Sequence, residues 1–242
     1  MAVALSMLLF AVTLAGCSSS ANSDHTATTA TRTPISQVPT APSGSTLLAT
    51  FHADTPSSSV AGGPVTGTVP ATWHSAPSVL PVIASAGGEI EVRLAQRPNE
   101  STAWVPASSA TFTSTPYRIV VDLATTHVTL FEHDQEILSA PAGIGIPKSP
   151  TPTGSFFVAF LAQPPSSGYG PFVMVTSAHS DSITDWEESG DAMIAIHGPL
   201  GAQAAIGTTG AAVSHGCIRL QLTDLSQLRV VPVGSPVDIV DQ

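Results

Sequence analysis

Glycine and proline interrupt this chain so often that long regular elements are excluded. The 242 residues include 19 Gly and 21 Pro, scattered along the sequence. The apolar runs between them are short and rich in Val, Ile, Thr and Phe, a composition typical of strands. No heptad pattern and no internal repeat is present. The sequence therefore predicts a mainly β fold with few helices.

The N-terminus is predicted to be a targeting segment. Residues 2–14 are apolar apart from one Ser and one Thr, which suits a signal peptide and is too short to span a bilayer. Ala15 and Gly16 precede Cys17, which resembles a bacterial lipobox, although no Lys or Arg precedes the apolar run. The resemblance implies a lipoprotein signal peptide at 1–17, a lipid on Cys17 and an exported, membrane-anchored protein facing the cell wall or periplasm. Ordinary secretory cleavage is the alternative.

A linker is predicted to follow this segment. Residues 18–46 are mostly Ser, Thr, Ala and Pro, a composition that buries too little surface to offset its ordering entropy. We expect a disordered tether that lets a lipid-anchored domain reach some distance from the membrane. About two hundred residues remain for folded structure, enough for one or two domains.

The charge balance excludes some partners. Seven Lys and Arg stand against 17 Asp and Glu, a formal net charge of −10. Without a basic cluster, nucleic-acid binding and electrostatic membrane docking are not expected. The acidic segment 181–191 has no basic residue and is interpreted as a solvated loop rather than a cation or substrate site.

Two folded units are predicted after the tether. In the first, residues 47–113, an apolar stretch at 81–84 and a stretch of alternating polar and apolar residues at 89–94 flank Gly87-Gly88, the pattern of a β-hairpin. Short strands and glycine turns indicate a small β-barrel-like module, and the segment 92–105 locally resembles an SH3-like module. Trp73 and Trp104 are expected in its core, with stacking on a sugar as the alternative.

The second unit, residues 116–242, combines further strands with a rigid loop and one helix. The loop at 149–154 contains two Pro and a Gly and could form one wall of a cleft. The helix is predicted to begin with Thr223 as its N-cap and to carry Leu225 and Leu228 on one face. Strands are expected at 119–122, 127–131, 136–141, 156–161, 172–176, 193–196 and 236–240.

A free thiol with nearby histidines suggests nucleophilic chemistry. Cys217 is one of only two cysteines, and a catalytic thiol needs a base or cation to lower its pKa. His215 precedes it by two residues, and His197 ends an apolar strand, where it could act as a general base. Gly216 permits a tight turn that exposes backbone N–H groups to an oxyanion.

The order of these residues resembles the L,D-transpeptidase family, whose catalytic module is the YkuD domain. His197 is followed by a spacer from Gly198 to Val213 and then by Ser214-His215-Gly216-Cys217-Ile218. The stretches 117–123 and 150–154 extend the resemblance upstream. It covers the chain from about Pro116 onward and implies a β-sandwich catalytic domain with a short helix after the catalytic Cys. Arg219 departs from the family signature, where Asn is most often found.

The resemblance also implies roles for single residues. Cys217 would be the acylated nucleophile and His197 its base, oriented by the carbonyl of Gly198. His215 would shape the acyl site beside Ser214, and the N–H groups of Gly216 and Cys217 would bind the oxyanion. Two residues would bind substrate: Arg219, which could position the acceptor or brace the loop, and Tyr169, near a lid over the donor at 170–186.

The implied reaction is cross-linking of peptidoglycan stem peptides, without metal or organic cofactor. Cys217 would take the acyl group of a donor tetrapeptide and release D-Ala, and an acceptor amine would complete a 3→3 cross-link. A carbapenem would acylate the same thiol. Three alternatives stay open: an L,D-carboxypeptidase at this site, a wall-binding lipoprotein without catalysis, and a zinc peptidase using His197, His215 and Cys217.

Overall fold

Short strands, most of them paired antiparallel, build most of the described structure. The computed structural model describes residues 38–188, 190–208 and 211–242. The predicted signal peptide at 1–17, with the lipidation site Cys17, and most of the predicted tether at 18–46 lie outside these ranges. The described residues belong to one compact unit.

The N-terminal region, residues 46–115, contains nine strands. They are β1 (Thr46–Phe51), β2 (Thr55–Ser57), β3 (Gly67–Val69), β4 (Thr72–Trp73), β5 (Ala76–Pro77), β6 (Val79–Ala86), β7 (Glu89–Arg93), β8 (Thr102–Pro106) and β9 (Ala110–Thr115). Five of them form an antiparallel sheet in the order β8-β7-β6-β1-β9. Two short hairpins, β2–β3 and β4–β5, lie between β1 and β6 in the chain.

The described part of the C-terminal region contains ten strands and one α-helix. The strands are β10 (Tyr117–Asp122), β11 (His127–Glu132), β12 (Gln135–Pro141), β13 (Ile144–Gly145), β14 (Gly154–Ala162), β15 (Val173–His179), β16 (Met193–His197), β17 (Ala212–Ser214), β18 (Ile218–Arg219) and β19 (Pro236–Val240). The helix is α1 (Leu222–Gln227). Three-residue 3₁₀ turns lie at Ala107–Ser109, Ser167–Tyr169 and Leu228–Val230.

Eight of these strands form a sheet in the order β12-β11-β10-β19-β14-β15-β16-β18. Strand β14 links its two halves, because residues 154–157 pair with β19 whereas residues 158–162 pair with β15. Register shifts occur in the β14–β15 and β15–β16 ladders, and such irregularities bend a sheet. The core between the halves is apolar and takes side chains from β10 and β11 as well as from β16 and α1.

Strand β14 also belongs to two hydrophobic cores. Phe156 and Val158 pack in the core of the C-terminal region, whereas Phe157 and Ala159 pack in the core of the N-terminal region. Successive side chains of a strand point to opposite faces, so one strand serves both cores. All four side chains are buried.

The predicted mainly β fold with one short helix after Cys217 is confirmed. The hairpin around Gly87-Gly88 is present as β6–β7, and β19 has the predicted bounds. The SH3-like character of the N-terminal region and the domain boundaries stay predictions. Trp73 packs partly buried against the N-terminal core, and Trp104 is half-buried on β8.

The predicted N-cap of the helix is wrong. The helix begins at Leu222, and its N-cap is Gln221, whose carbonyl accepts the N–H of Leu225 at 2.9 Å. The Thr223 hydroxyl instead lies 3.4 Å from the Asp224 carboxylate. Leu225 of α1 and Leu228 of the following 3₁₀ turn are both fully buried in the same core. Within the described ranges, no helix is long and apolar enough to cross a membrane.

Candidate active site

A cavity of roughly 620 Å³ is lined by apolar side chains of β14, β15 and β16. Cys217, His197, His215, Ser214, Tyr169 and Arg219 all line it. One wall comes from the segment 180–191, and His74 of the N-terminal region lines another part. His74 stacks on Phe160 of β14, with ring centroids 5.3 Å apart. The fold therefore brings these six predicted site residues to one cavity.

Cys217 lies in the tight turn between β17 and β18 and carries a free, half-buried thiol. Ser214 fixes this turn, because its hydroxyl donates to the carbonyl of Cys217 at 2.6 Å and accepts the N–H of Gly216 at 3.0 Å. Gly216 has φ +122°, and an added Cβ would lie 2.7 Å from Cδ1 of Ile194. This position therefore requires glycine.

The oxyanion role of Gly216 stays a prediction. In this structure its N–H donates to the Ser214 hydroxyl, so a developing negative charge would compete with that hydroxyl for the N–H. The backbone N–H of Cys217 is the other donor of the predicted pair. Gly216 also makes the turn that carries Cys217.

His197 is the last residue of β16 and is 3% exposed. Its Nδ1 lies 2.8 Å from the carbonyl oxygen of Gly198. A carbonyl only accepts, so Nδ1 carries the proton and Nε2 keeps its lone pair. This is the contact that the family resemblance implies.

Gly198 is confined by its neighbours. Its N–H donates to the carbonyl of Tyr169 at 2.8 Å. An added Cβ would lie 2.8 Å from the Tyr169 carbonyl carbon and 2.9 Å from both the Gly168 oxygen and the Leu222 side chain. The close approach also brings the Tyr169 ring to 4.7 Å from the His197 ring.

The site holds both candidate reacting groups in their neutral forms. Burial, with a smaller contribution from the positive charge of Arg219, lowers the pKa of His197 to about 4 despite the hydrogen bond to Gly198. Burial raises the pKa of the Cys217 thiol, although the Ala195 backbone and Arg219 act in the opposite direction. The cavity thus contains a neutral thiol and an unprotonated imidazole rather than a preformed ion pair.

Arg219 brings a positive charge to this cavity. Its backbone pairs with Gly143 in both directions at 2.8 Å. Within the described ranges, its buried Nε has no hydrogen-bond partner and no carboxylate lies within salt-bridge distance of its guanidinium. A partly buried guanidinium without a counter-ion attracts an anionic ligand.

His215 is exposed, and its ring lies 5.4 Å from that of Trp186. Its backbone carbonyl accepts the Ser149 hydroxyl at 2.9 Å, and the next carbonyl, that of Gly216, accepts the Thr151 hydroxyl at 2.8 Å. The loop predicted as a cleft wall therefore hydrogen-bonds directly to the turn that carries Cys217. Sequence reasoning selected this loop for its prolines and missed the two hydroxyls.

The predicted lid at 170–186 is wrong for residues 173–179. Residues Val173–His179 form β15, and all of them are buried. The segment over the cavity starts only at Ser180. Most of the acidic segment is exposed as expected, but Asp191 is half-buried and pairs with Arg97 and His179. Among the described residues, no three His, Cys, Asp or Glu side chains are grouped as metal ligands.

A family model describes the same region of the chain. The model for the YkuD L,D-transpeptidase catalytic domain matches residues 116–239, slightly more than half of the chain. The chain belongs to this family. The shared domain includes every predicted site residue except the lipidation site Cys17.

A putative L,D-transpeptidase YkuD from Bacillus licheniformis is 29% identical over 125 residues, which cover 51% of this chain and 66% of that protein. A crystal structure of a mutant Enterococcus faecium L,D-transpeptidase is 23% identical with a TM-score of 0.40, covering 51% of this chain and 49% of that one. L,D-transpeptidase 3 from Mycobacterium tuberculosis, in complex with a faropenem-derived adduct, is 17% identical with a TM-score of 0.42, covering 63% and 91%. The chain thus spans about half to two thirds of the length of the first two proteins.

Proposed function

We propose that this protein is a peptidoglycan L,D-transpeptidase that forms 3→3 cross-links through an acyl-enzyme at Cys217. The observation that carries the proposal is the state of His197, whose Nδ1 donates to Gly198 and whose Nε2 is left as a base in the cavity of the thiol. A base and a thiol in one cavity are the minimum requirement for cysteine acyl transfer.

The first half-reaction transfers the donor acyl group to sulfur. His197 Nε2 takes the thiol proton, and Sγ of Cys217 attacks the carbonyl carbon that links the diamino acid of the stem to the terminal D-Ala. The C–N bond then breaks, and the proton passes to the departing amine. The products are a thioester and free D-Ala, and no cofactor takes part.

The second half-reaction restores the thiol. The side-chain amine of another stem peptide attacks the thioester carbon, His197 takes a proton from the amine, and the sulfur leaves as a thiol. Water in place of the amine gives an L,D-carboxypeptidase product at the same site. This is the second candidate function, and it is favoured by the partial exposure of Cys217.

Arg219 is assigned to an anionic part of the substrate. Its partly buried guanidinium lines the cavity and lacks a carboxylate partner within the described ranges. The terminal D-Ala of the donor ends in a carboxylate, which a guanidinium binds with two parallel hydrogen bonds. The same positive charge acts to lower the pKa of Cys217, which favours loss of the thiol proton, and it also lowers the pKa of His197, which makes that imidazole a weaker proton acceptor.

Location is part of the proposal. Peptidoglycan lies outside the cytoplasmic membrane, and a lipid on Cys17 would hold the protein next to it. Metabolic labelling with a fatty acid, compared between the full chain and Cys17→Ser, tests this part. Loss of the label in the variant supports the anchor, and a labelled variant contradicts it.

The function is tested with the full chain and Cys217→Ala on purified disaccharide-tetrapeptide, followed by mass spectrometry. A cross-linked dimer that has lost one D-Ala, absent with the variant, supports transpeptidation. Tripeptide without dimer supports the carboxypeptidase. If neither product forms and a carbapenem adds no mass to the wild-type protein, a wall-binding role without catalysis replaces both.

A further inference from the structure

Residues of the N-terminal region hold the cavity wall that contains Trp186. We define the cavity loop as residues 180–188 and 190–191. Four of its residues, Ser180, Ile183, Trp186 and Asp191, line the cavity. The ring centroids of Trp186 and His215 are 5.4 Å apart. The backbone N–H of Trp186 donates to the backbone carbonyl of Asp191 at 2.8 Å. The position of the cavity loop therefore sets the position of this wall.

Arg97, which follows β7, makes three hydrogen bonds to the cavity loop. Its Nε donates to the Asp191 carboxylate at 2.9 Å. One Nη donates to two backbone carbonyls, that of Ser180 at 3.0 Å and that of Ile183 at 3.1 Å. One planar guanidinium thus joins the beginning, the middle and the end of the loop.

Two further contacts from the N-terminal region reach the start of this loop. The Asn99 side chain accepts the N–H of His179 and donates to its carbonyl, both at 2.8 Å. The fully buried His179 ring lies 3.1 Å from the carbonyl oxygen of Ala95 through Nε2 and 2.8 Å from the Asp191 carboxylate through Nδ1. The loop is therefore anchored at both ends to residues 95–99.

The cavity loop is also linked to the turn that carries Cys217 by a chain of two hydrogen bonds. The Ser182 hydroxyl donates to the Ser149 hydroxyl at 3.1 Å, and Ser149 donates to the carbonyl of His215. Loop position is consequently coupled both to the ring of His215, through Trp186, and to its backbone. Neither route touches the thiol of Cys217 itself.

An isolated ion pair between side chains as exposed as Arg97 and Asp191 would contribute little to holding the loop. The side chains of Arg97 and Asp191 are 35% and 23% exposed, and exposed pairs contribute little to stability. Arg97 differs because it also satisfies two loop carbonyls and because its carboxylate partner is held by a buried histidine. By contrast, Arg93 on β7 makes only a 3.8 Å pair with the half-exposed Glu100.

We propose that Arg97 is a positioning residue for the donor site: it holds the cavity loop so that Trp186 packs on His215 and the wall that contacts the donor stem peptide is formed. This inference rests on the proposed function. Because Arg97 acts on a wall rather than on the thiol, its loss weakens donor binding and leaves the chemical step almost unchanged.

The test compares full-chain Arg97→Gln and Arg97→Lys with wild type and with Arg93→Gln as the matched control. Arg97→Gln is expected to raise KM for the donor about tenfold, from the loss of charge-assisted hydrogen bonds, while kcat changes little. The KM of Arg97→Lys is expected to lie between those of wild type and Arg97→Gln. A lysine ammonium can still pair with the Asp191 carboxylate, but it lacks the planar fork that reaches both carbonyls. Arg93→Gln is expected to match wild type.

A second measurement does not depend on turnover. Amide hydrogen exchange in the cavity loop is expected to become faster in Arg97→Gln and not in Arg93→Gln. Unchanged exchange in Arg97→Gln would overturn the proposal whatever the activity. Faster exchange with unchanged KM would overturn the positioning role. Should Arg97→Gln fail to fold, the intermediate variant Arg97→Lys decides on the same two readouts.

The two proposals fail in different ways. If the wild-type protein forms neither dimer nor tripeptide, the proposed function fails, and with it the claim about the donor. The exchange measurement then still decides whether Arg97 holds the loop. If the wild-type protein turns over normally and Arg97→Gln matches it in KM and exchange, only the positioning role is lost.

Discussion

Nδ1 of His197 lies 2.8 Å from the carbonyl oxygen of Gly198, its neighbour in sequence. The bond gives this terminal strand residue a defined tautomer, because the proton held at Nδ1 leaves the lone pair of Nε2 free. Gly198 approaches this closely because it has no side chain to meet Tyr169 and Leu222. The tautomer required of the proposed general base is thus set by local backbone geometry rather than by a third side chain.

Removing the base should abolish efficient acyl transfer. His197→Gln is expected to lower kcat about 100- to 10,000-fold, the usual contribution of a positioned general base. The measurement is D-Ala release from the tetrapeptide at pH 7. A loss of less than about tenfold would show that another group takes the thiol proton.

The Cys217 thiol should ionise at a higher pH than an ordinary thiol. Burial raises the pKa of Cys217, so the rate of its alkylation by iodoacetamide should still be rising above the ordinary thiol pKa of about 8.5. Mass spectrometry of the wild-type protein over a pH series measures this rate, with Cys217→Ala as the blank. A plateau already reached at pH 6 would instead indicate a preformed thiolate–imidazolium pair.

His197 should also make stability depend on pH. Its pKa is lowered from 6.5 to about 4 in the folded protein, so between these pH values the unfolded chain binds more protons at this residue. The stabilising contribution is therefore complete above pH 6.5 and is lost as the pH falls through 4. It amounts to roughly 3 kcal/mol.

Urea unfolding at pH 7 and pH 4 measures this effect. Wild type is expected to lose more free energy of unfolding between the two pH values than His197→Gln, by up to that amount. Equal losses in the two proteins would contradict the lowered pKa. The comparison cancels the titration of carboxyl groups that both proteins share.

Gly216 should tolerate no side chain. Gly216→Ala must place Cβ 2.7 Å from Cδ1 of Ile194 and also strains a backbone at φ +122°. We expect a loss of about 2–4 kcal/mol in the free energy of unfolding, from strain and overpacking together. Gly87→Ala is the control, since it has φ +59° and no atom near its Cβ.

The double variant Gly216→Ala/Ile194→Val separates the two causes. Valine lacks the Cδ1 that the new methyl group meets, but Ile194 is buried and Ile194→Val alone should cost about 0.5–1.5 kcal/mol. The double variant is therefore compared with Ile194→Val, and Gly216→Ala should cost less stability in that background than in the wild type. An equal cost in both backgrounds would mean that backbone strain alone accounts for the effect of Gly216→Ala. Chemical denaturation measures all of these variants.

Ser214 should matter through its hydroxyl. Ser214→Ala leaves a buried N–H at Gly216 and the Cys217 carbonyl without their partner, which should cost about 1–3 kcal/mol of stability and reduce activity. Ser214→Thr keeps the hydroxyl and should retain most of both. Ser226→Ala, which removes an exposed hydroxyl that bonds to Leu222 within α1, is the control and should change little.

Local patterns predicted the elements of this fold well. Alternation and glycine turns located β6–β7 and β19, and the order of His197, Ser214, His215 and Cys217 predicted a set that lines one cavity. These features depend on neighbours in sequence or on a motif with fixed spacing. They are therefore visible without coordinates.

The lid prediction failed for a different reason. It missed that residues 173–179 form a buried strand of the large sheet. Sequence reasoning also missed the pair of Arg97 and Asp191, which joins residues 94 positions apart. Such contacts arise from tertiary packing, and no periodicity or composition in either segment signals them.

Strand β14 carries alternate side chains into two cores, and this limits how the protein can be divided. Cutting the chain before residue 116 would leave Phe157 and Ala159 facing solvent along the middle of a strand. Such a fragment would be prone to aggregation, even though it contains the whole matched domain. The two regions should therefore melt in a single cooperative transition, and the N-terminal region is better regarded as half of a shared scaffold than as a detachable accessory.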